Sequence, residues 1–151
     1  MSEAGNVEPG PRRRPLRVVV MDDEFWICEI FKLIFECYCP DATVLTFLDA
    51  EAALAELDRE EPDLFTTDWN HCGELHGEGL LRALAARGVK YPVFVISAYG
   101  PEIHKQDLLK GVRDAGLNVT MLCKPFTVED FRRLVSAQGL KLERPSVDGS
   151  V

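Results

Sequence analysis

The 151-residue chain is short of several things. No apolar run approaches the roughly 20 residues a membrane-spanning helix needs, so nothing in the sequence reads as a span. The N-terminus, MSEAGNVEPGPRRRP, has no apolar core segment and is not a secretory signal. Basic charge is scarce. Seventeen Lys and Arg face 25 Asp and Glu, a net charge of −8, which excludes a general basic surface for nucleic acid. The one basic cluster, Arg12-Arg13-Arg14, sits in a Pro/Gly-rich head that reads as a solvated tail. The five cysteines (28, 37, 39, 72 and 123) are odd in number and match neither zinc spacing nor a disulfide framework. A reducing cytoplasm is the expected location.

What is present is alternation. Leu16 to Met21 is a short, β-branched apolar run, as a buried parallel strand should be. From Phe25, the residues Ile27, Ile30, Phe31, Ile34, Phe35 and Tyr38 recur at helical spacing until Pro40. Strands follow at 43–47, 63–67, 92–97 and 119–123. Asp49 caps a helix running to about Glu60, and another helix spans 79–86 with Gly88 as its stop. Helical spacing returns from Ile103 to Val112. Thr127-Val128-Glu129-Asp130 opens the last helix with a capping box in which Asp stands at the third position. Five strand–helix units imply a doubly wound, five-stranded parallel sheet of the α/β class with helices on both faces. The expected division is a disordered tail over 1–15, one domain over 16–138 and a C-terminal tail over 139–151.

Such a sheet binds its ligand outside the carboxyl ends of its strands. There the sequence places Asp22-Asp23-Glu24, Asp68, Ser97 and Lys124-Pro125. Two carboxylates about 4 Å apart repel by about 4 kcal/mol at an effective dielectric near 20. A divalent cation relieves that conflict, and an all-oxygen donor set suits Mg²⁺ better than zinc. A carboxylate, a lysine, a hydroxyl and a metal together form a site for a phosphoryl group.

"VVVMDDE", "LFTTDWN", "VFVISA" and "CKPF", with "DAEAALAEL" between them, resemble the response-regulator receiver domain of two-component signalling, a flavodoxin-like (βα)5 fold, over about residues 16–138. The resemblance implies that Asp68 accepts a phosphoryl group from a histidine kinase or a histidine phosphotransfer protein. It implies that Asp22, Asp23, Asp68 and the Asn70 main-chain carbonyl hold Mg²⁺, that Ser97 is the switch hydroxyl and that Lys124 is the essential lysine. Pro125 matches a proline that often follows a cis peptide. Asn70 and Tyr99 take the positions that modulate dephosphorylation. Three features depart from the family pattern: His71-Cys72 replaces Met-Pro, Met121 replaces the switch aromatic, and the segment from Ser97 to Lys124 is long.

The leading expectation is a stand-alone receiver, not an enzyme beyond its own phosphorylation and dephosphorylation. It signals by altered binding of an output protein through about residues 101–138, with homodimerisation possible and no nucleic acid or membrane partner. One alternative is a receiver-fold interaction module that is not phosphorylated. Another is a haloacid-dehalogenase-like phosphatase, whose Asp-x-Asp is not met at Asp22, where Glu24 stands two residues on. A transition-metal site at His71, Cys72 and His76 lacks a fourth ligand.

Overall fold

The computed structural model describes residues 14–69, 77–98 and 103–142. Strands and helices alternate as β1 (Arg17–Met21), α1 (Phe25–Tyr38), β2 (Thr43–Phe47), α2 (Ala50–Arg59), β3 (Leu64–Asp68), α3 (Gly77–Arg87), β4 (Val93–Ser97), α4 (Ile103–Asp114), β5 (Val119–Cys123) and α5 (Val128–Ala137). The strands form one parallel sheet in the order β2-β1-β3-β4-β5. The winding direction reverses between β1 and β3, and it is outside the carboxyl ends at such a reversal that open α/β sheets bind their ligands.

Every residue of β1, β3 and β4 is buried, which explains their continuous apolar runs; the edge strand β2 is only half-buried. Alternate residues feed two cores. Val19, Met21, Phe65, Val93 and Val95 pack beneath α2, α3 and α4, with Leu57, Leu80, Leu84 and Leu109. Val18, Val20, Leu64, Phe94 and Ile96 pack beneath α1 and α5. Phe131 of α5 is the hub of that second core. Its ring meets Phe31, Phe35 and Phe94 edge-on at 5.3, 5.9 and 5.9 Å. Such pairs add about 0.5–1.5 kcal/mol each beyond the area they bury.

The helix signals act as expected. Asp49 accepts from the Ala52 N–H at 2.8 Å. Thr127 and Asp130 cap each other's main chain at 3.0 Å in both directions. Gly88, at φ +67°, follows α3.

Some boundaries and faces differ from the sequence reading. β3 includes Asp68, because the Trp69 N–H still bonds the Ile96 carbonyl at 2.8 Å and extends the ladder. α3 begins at Gly77, two residues earlier than predicted. Trp26, expected to pack, is 57% exposed, because α1 buries the face of Cys28, Phe31, Ile34 and Phe35 instead. Leu140 and Leu142, placed by sequence in the tail, are buried in the α1/α5 core. Gly139, at φ +80°, turns the chain back, and the Arg132 Nε donates to the Leu142 carbonyl at 2.8 Å.

The amino end of the sheet is closed by ion pairs. Arg14 pairs with Asp63 in a two-pronged bond of 2.8 and 3.0 Å. The buried Arg17 pairs with Glu56 and donates to the Glu60 carbonyl at 2.7 Å. Arg14 is therefore a bound residue rather than part of a solvated tail.

Candidate functional site

At the carboxyl end, the apolar side chains of β1 and β3 give way to acids. Asp22 directly follows β1 and Asp68 closes β3; both are buried. The Asp22 N–H donates to the Phe47 carbonyl at 3.1 Å, and its Oδ1 accepts from the Glu24 N–H at 2.9 Å. One carboxylate oxygen from each of Asp22, Asp23 and Asp68 lies within 4.8 Å of the other two. Lys124 leans in from the end of β5, its Nζ 3.4 Å from Asp68 Oδ1 and 3.7 Å from Asp22 Oδ2.

Ser97 closes β4 and is fully buried. It is the register partner of Cys123, and its carbonyl accepts from the Lys124 N–H at 2.6 Å. The hydroxyl-bearing and lysine-bearing strand ends are thus fastened together. The Lys124-Pro125 peptide is cis.

Among the described residues, Lys124 is the cation paired with Asp22 and Asp68. Burial pushes the Asp22 carboxyl up to about 6; the Glu24 N–H opposes this and the Asp68 charge adds to it. Burial also raises Asp68, against the pull of Lys124. Three hard oxygens this close fit a small divalent cation. Octahedral ligands at about 2.1 Å stand about 3 Å apart when adjacent and about 4 Å apart when opposite. The carboxylate oxygens, within 4.8 Å of one another, would close to those separations around a bound ion.

The sequence-predicted residues Asp22, Asp23, Asp68 and Lys124 are therefore brought together, with Ser97 on the neighbouring strand end. Met121 is half-buried, aligned with Val95 and packed against the core beneath α2–α4. Asn70, Tyr99, His71, Cys72 and His76 lie outside the described residues. Sequence reasoning missed Cys28. Its buried thiol donates to the Asp22 carbonyl at 3.6 Å, and burial raises its pKa. Its helical spacing with Phe31 and Phe35 is the signal for burial, but not for that bond. Phe25, Trp26 and Leu48, all at least half exposed, lie at this same end of the sheet.

The sequence profile of the response regulator receiver domain matches residues 18–136. No curated protein matches the chain. Among solved structures, the receiver domain of Francisella response regulator 1452 is similar at 26% identity and a TM-score of 0.68, over 82% of this chain and 95% of that one. Chemotaxis protein CheY4 of Vibrio cholerae shares the fold at 20% identity and a TM-score of 0.68, over 82% of this chain and 98% of that one. NtrX of Brucella abortus, at 23% identity and a TM-score of 0.66, is matched over 82% of this chain but 26% of its own length. With a profile that spans most of its length and a fold shared with these structures, the chain belongs to the response regulator receiver domains of two-component signalling.

Proposed function

We propose that this chain is a stand-alone receiver that accepts a phosphoryl group on Asp68 from a histidine kinase or a histidine phosphotransfer protein. The observation that carries the reading is the convergence of three carboxylates on one point, with Lys124 bridging Asp68 and Asp22. Asp22, Asp23 and Asp68 would hold Mg²⁺, which when bound supplies positive charge to the phosphoryl oxygens.

In the transfer, an Asp68 carboxylate oxygen attacks phosphorus. The new O–P bond forms as the N–P bond of the phosphohistidine breaks, and the departing imidazole nitrogen keeps the bonding pair and takes up a proton. Lys124 offsets the charge on the phosphoryl oxygens, and Ser97 donates its hydroxyl to one of them. Burial of Asp68 excludes water from its flank. The exposed Phe25, Trp26 and Leu48 offer apolar surface for a protein phosphodonor. Output then follows from a population shift that alters partner binding through about residues 101–138, in the cytoplasm. Met121 takes the place of the switch aromatic in that shift, and Asn70 and Tyr99 set the lifetime of the phosphorylated form.

Incubation with a small-molecule phosphodonor and Mg²⁺ tests this by intact-protein mass spectrometry. The wild type should gain one phosphoryl group, a chelator should prevent the gain, and Asp68→Asn should abolish it. Uptake that survives in Asp68→Asn would overturn the assignment, and loss in Asp22→Asn with retention in Asp68→Asn would move the nucleophile to Asp22.

A further inference from the structure

A short contact behind the acid cluster plays no part in the chemistry above. Gly77, the first residue of α3, is buried. A Cβ placed on it would stand 2.6 Å from the Trp69 carbonyl oxygen and 3.4 Å from the Trp69 Cα and carbonyl carbon. All three atoms are main chain, so no side chain can rotate away to make room.

Backbone conformation does not call for glycine here. The described glycines at positive φ are Gly88, Gly116 and Gly139, and Gly77 is not among them. Alanine is also the stronger helix former. What glycine provides at position 77 is close approach.

The carbonyl it approaches belongs to Trp69, the residue directly after Asp68. Trp69 is held on its other side by β4, through the 2.8 Å bond from its N–H to the Ile96 carbonyl. Its side chain packs against the core beneath α2–α4. Residue Trp69 is therefore gripped at its N–H by β4 and at its carbonyl peptide by the first turn of α3, and Asp68 is the residue before the grip. A side chain at position 77 must push that peptide by several tenths of an ångström or drive α3 away from it.

We infer that Gly77 is a positioning residue for Asp68. By letting α3 close onto the Trp69 carbonyl, it fixes the angle at which the Asp68 carboxylate leaves β3 toward Asp22 and Lys124. The inference rests on the reading of Asp68 as the phosphoacceptor.

The test compares Gly77→Ala with wild type in a Trp26→Phe background, where Trp69 is the sole tryptophan. Four quantities are measured: the phosphorylation rate from a small-molecule donor at saturating Mg²⁺, the Mg²⁺ concentration for half-maximal rate, the thermal midpoint and the Trp69 emission. Displacement of this size should slow phosphorylation about tenfold or more at saturating Mg²⁺. Trp69 emission should shift while the protein remains folded at the assay temperature. Gly111→Ala is the control, because a Cβ there meets nothing within 4 Å. It should keep the wild-type rate.

An unchanged rate in Gly77→Ala would overturn the inference. So would a slower rate fully accounted for by a smaller folded fraction, since that is the signature of a merely structural glycine. Failure of the wild type itself to take up phosphoryl would instead count against the phosphoacceptor reading, so the two failures are distinguishable.

Discussion

At the amino end of the sheet, Arg14 and Arg17 face Glu56, Glu60 and Asp63; at the carboxyl end, Asp22, Asp23 and Asp68 face Lys124. With Arg59, which pairs with Glu56 and Glu60, the first set is matched three against three along β1, α2 and the approach to β3. The second leaves burial and like charge uncompensated, and the Asp22 carboxyl rises to about 6 as a result. Both ends are built by the same strands. The amino end spends its charges on holding β1 in place, whereas the carboxyl end gathers three carboxylates within 4.8 Å of one another. Stability and function are thus separated along one strand direction, about five residues apart on β1.

The largest effect should come from breaking the matched end. Arg17→Ala removes one of the two arginine partners of Glu56, Arg59 being the other, together with the buried donor to the Glu60 carbonyl, so it should give the largest loss of stability in urea unfolding. Phosphorylation of the remaining folded protein should be unaffected, because nothing at the carboxyl end has moved.

The second prediction reverses the sign. Asp22 has a native value of about 6 against an ordinary 3.8, so the folded chain binds that proton more tightly than the unfolded chain. The contribution of Asp22 to metal-free stability, read as wild type minus Asp22→Asn, should therefore fall as pH rises from about 4 to about 6 and level off above, by about 3 kcal/mol in all. Asp22→Asn should be more stable than wild type at pH 7 by a comparable amount, with that slope gone. It should also lose the rise in thermal midpoint that Mg²⁺ gives the wild type. A variant no more stable than wild type at pH 7 would show that the carboxyl end is not the strained one.

The smallest effect belongs to Arg14→Ala. Its side chain is 58% exposed, so loss of the Asp63 pair should cost less than about 1 kcal/mol and shrink further in high salt. A larger loss would mean that the segment before β1 is a structural strap.

Much of this fold was legible because β1, β3 and β4 are buried on both faces and are therefore mostly apolar between their ends. The acids stood out because each interrupts such a run at one end. Helix faces were harder. α1 carries Phe25, Trp26, Ile27, Ile30, Phe31, Leu33, Ile34 and Phe35, apolar around most of its circumference, so periodicity alone does not say which side meets the sheet. The structure buries the side that includes Cys28 and leaves Trp26, Ile30 and Leu33 outside. Leu140 and Leu142 were hidden for a different reason: two leucines beyond a glycine make no period, and only the turn at Gly139 returns them to the core. At the site, the sequence names the acids and the lysine. It does not carry the angle between β1 and β5 that lets Lys124 touch two acids, nor the approach of Gly77 to Trp69.

The aromatic cluster at Phe131 bears on re-engineering. Phe126, two residues after Lys124, packs against both Phe31 of α1 and Phe131 of α5, at 6.2 and 6.4 Å. The lysine is thereby moored to the helix that follows the Asp22-Asp23 pair and to the helix nearest the C-terminus. On the outer side of α5, Glu129, Arg133 and Ser136 are exposed. A designer who wishes to give this domain a new partner would start from Arg133 and Ser136 and keep Glu129, which pairs with Arg132 at 2.6 Å. Phe131 and Val135 are the spelling that must be kept, since they hold the lysine's mooring as well as the helix.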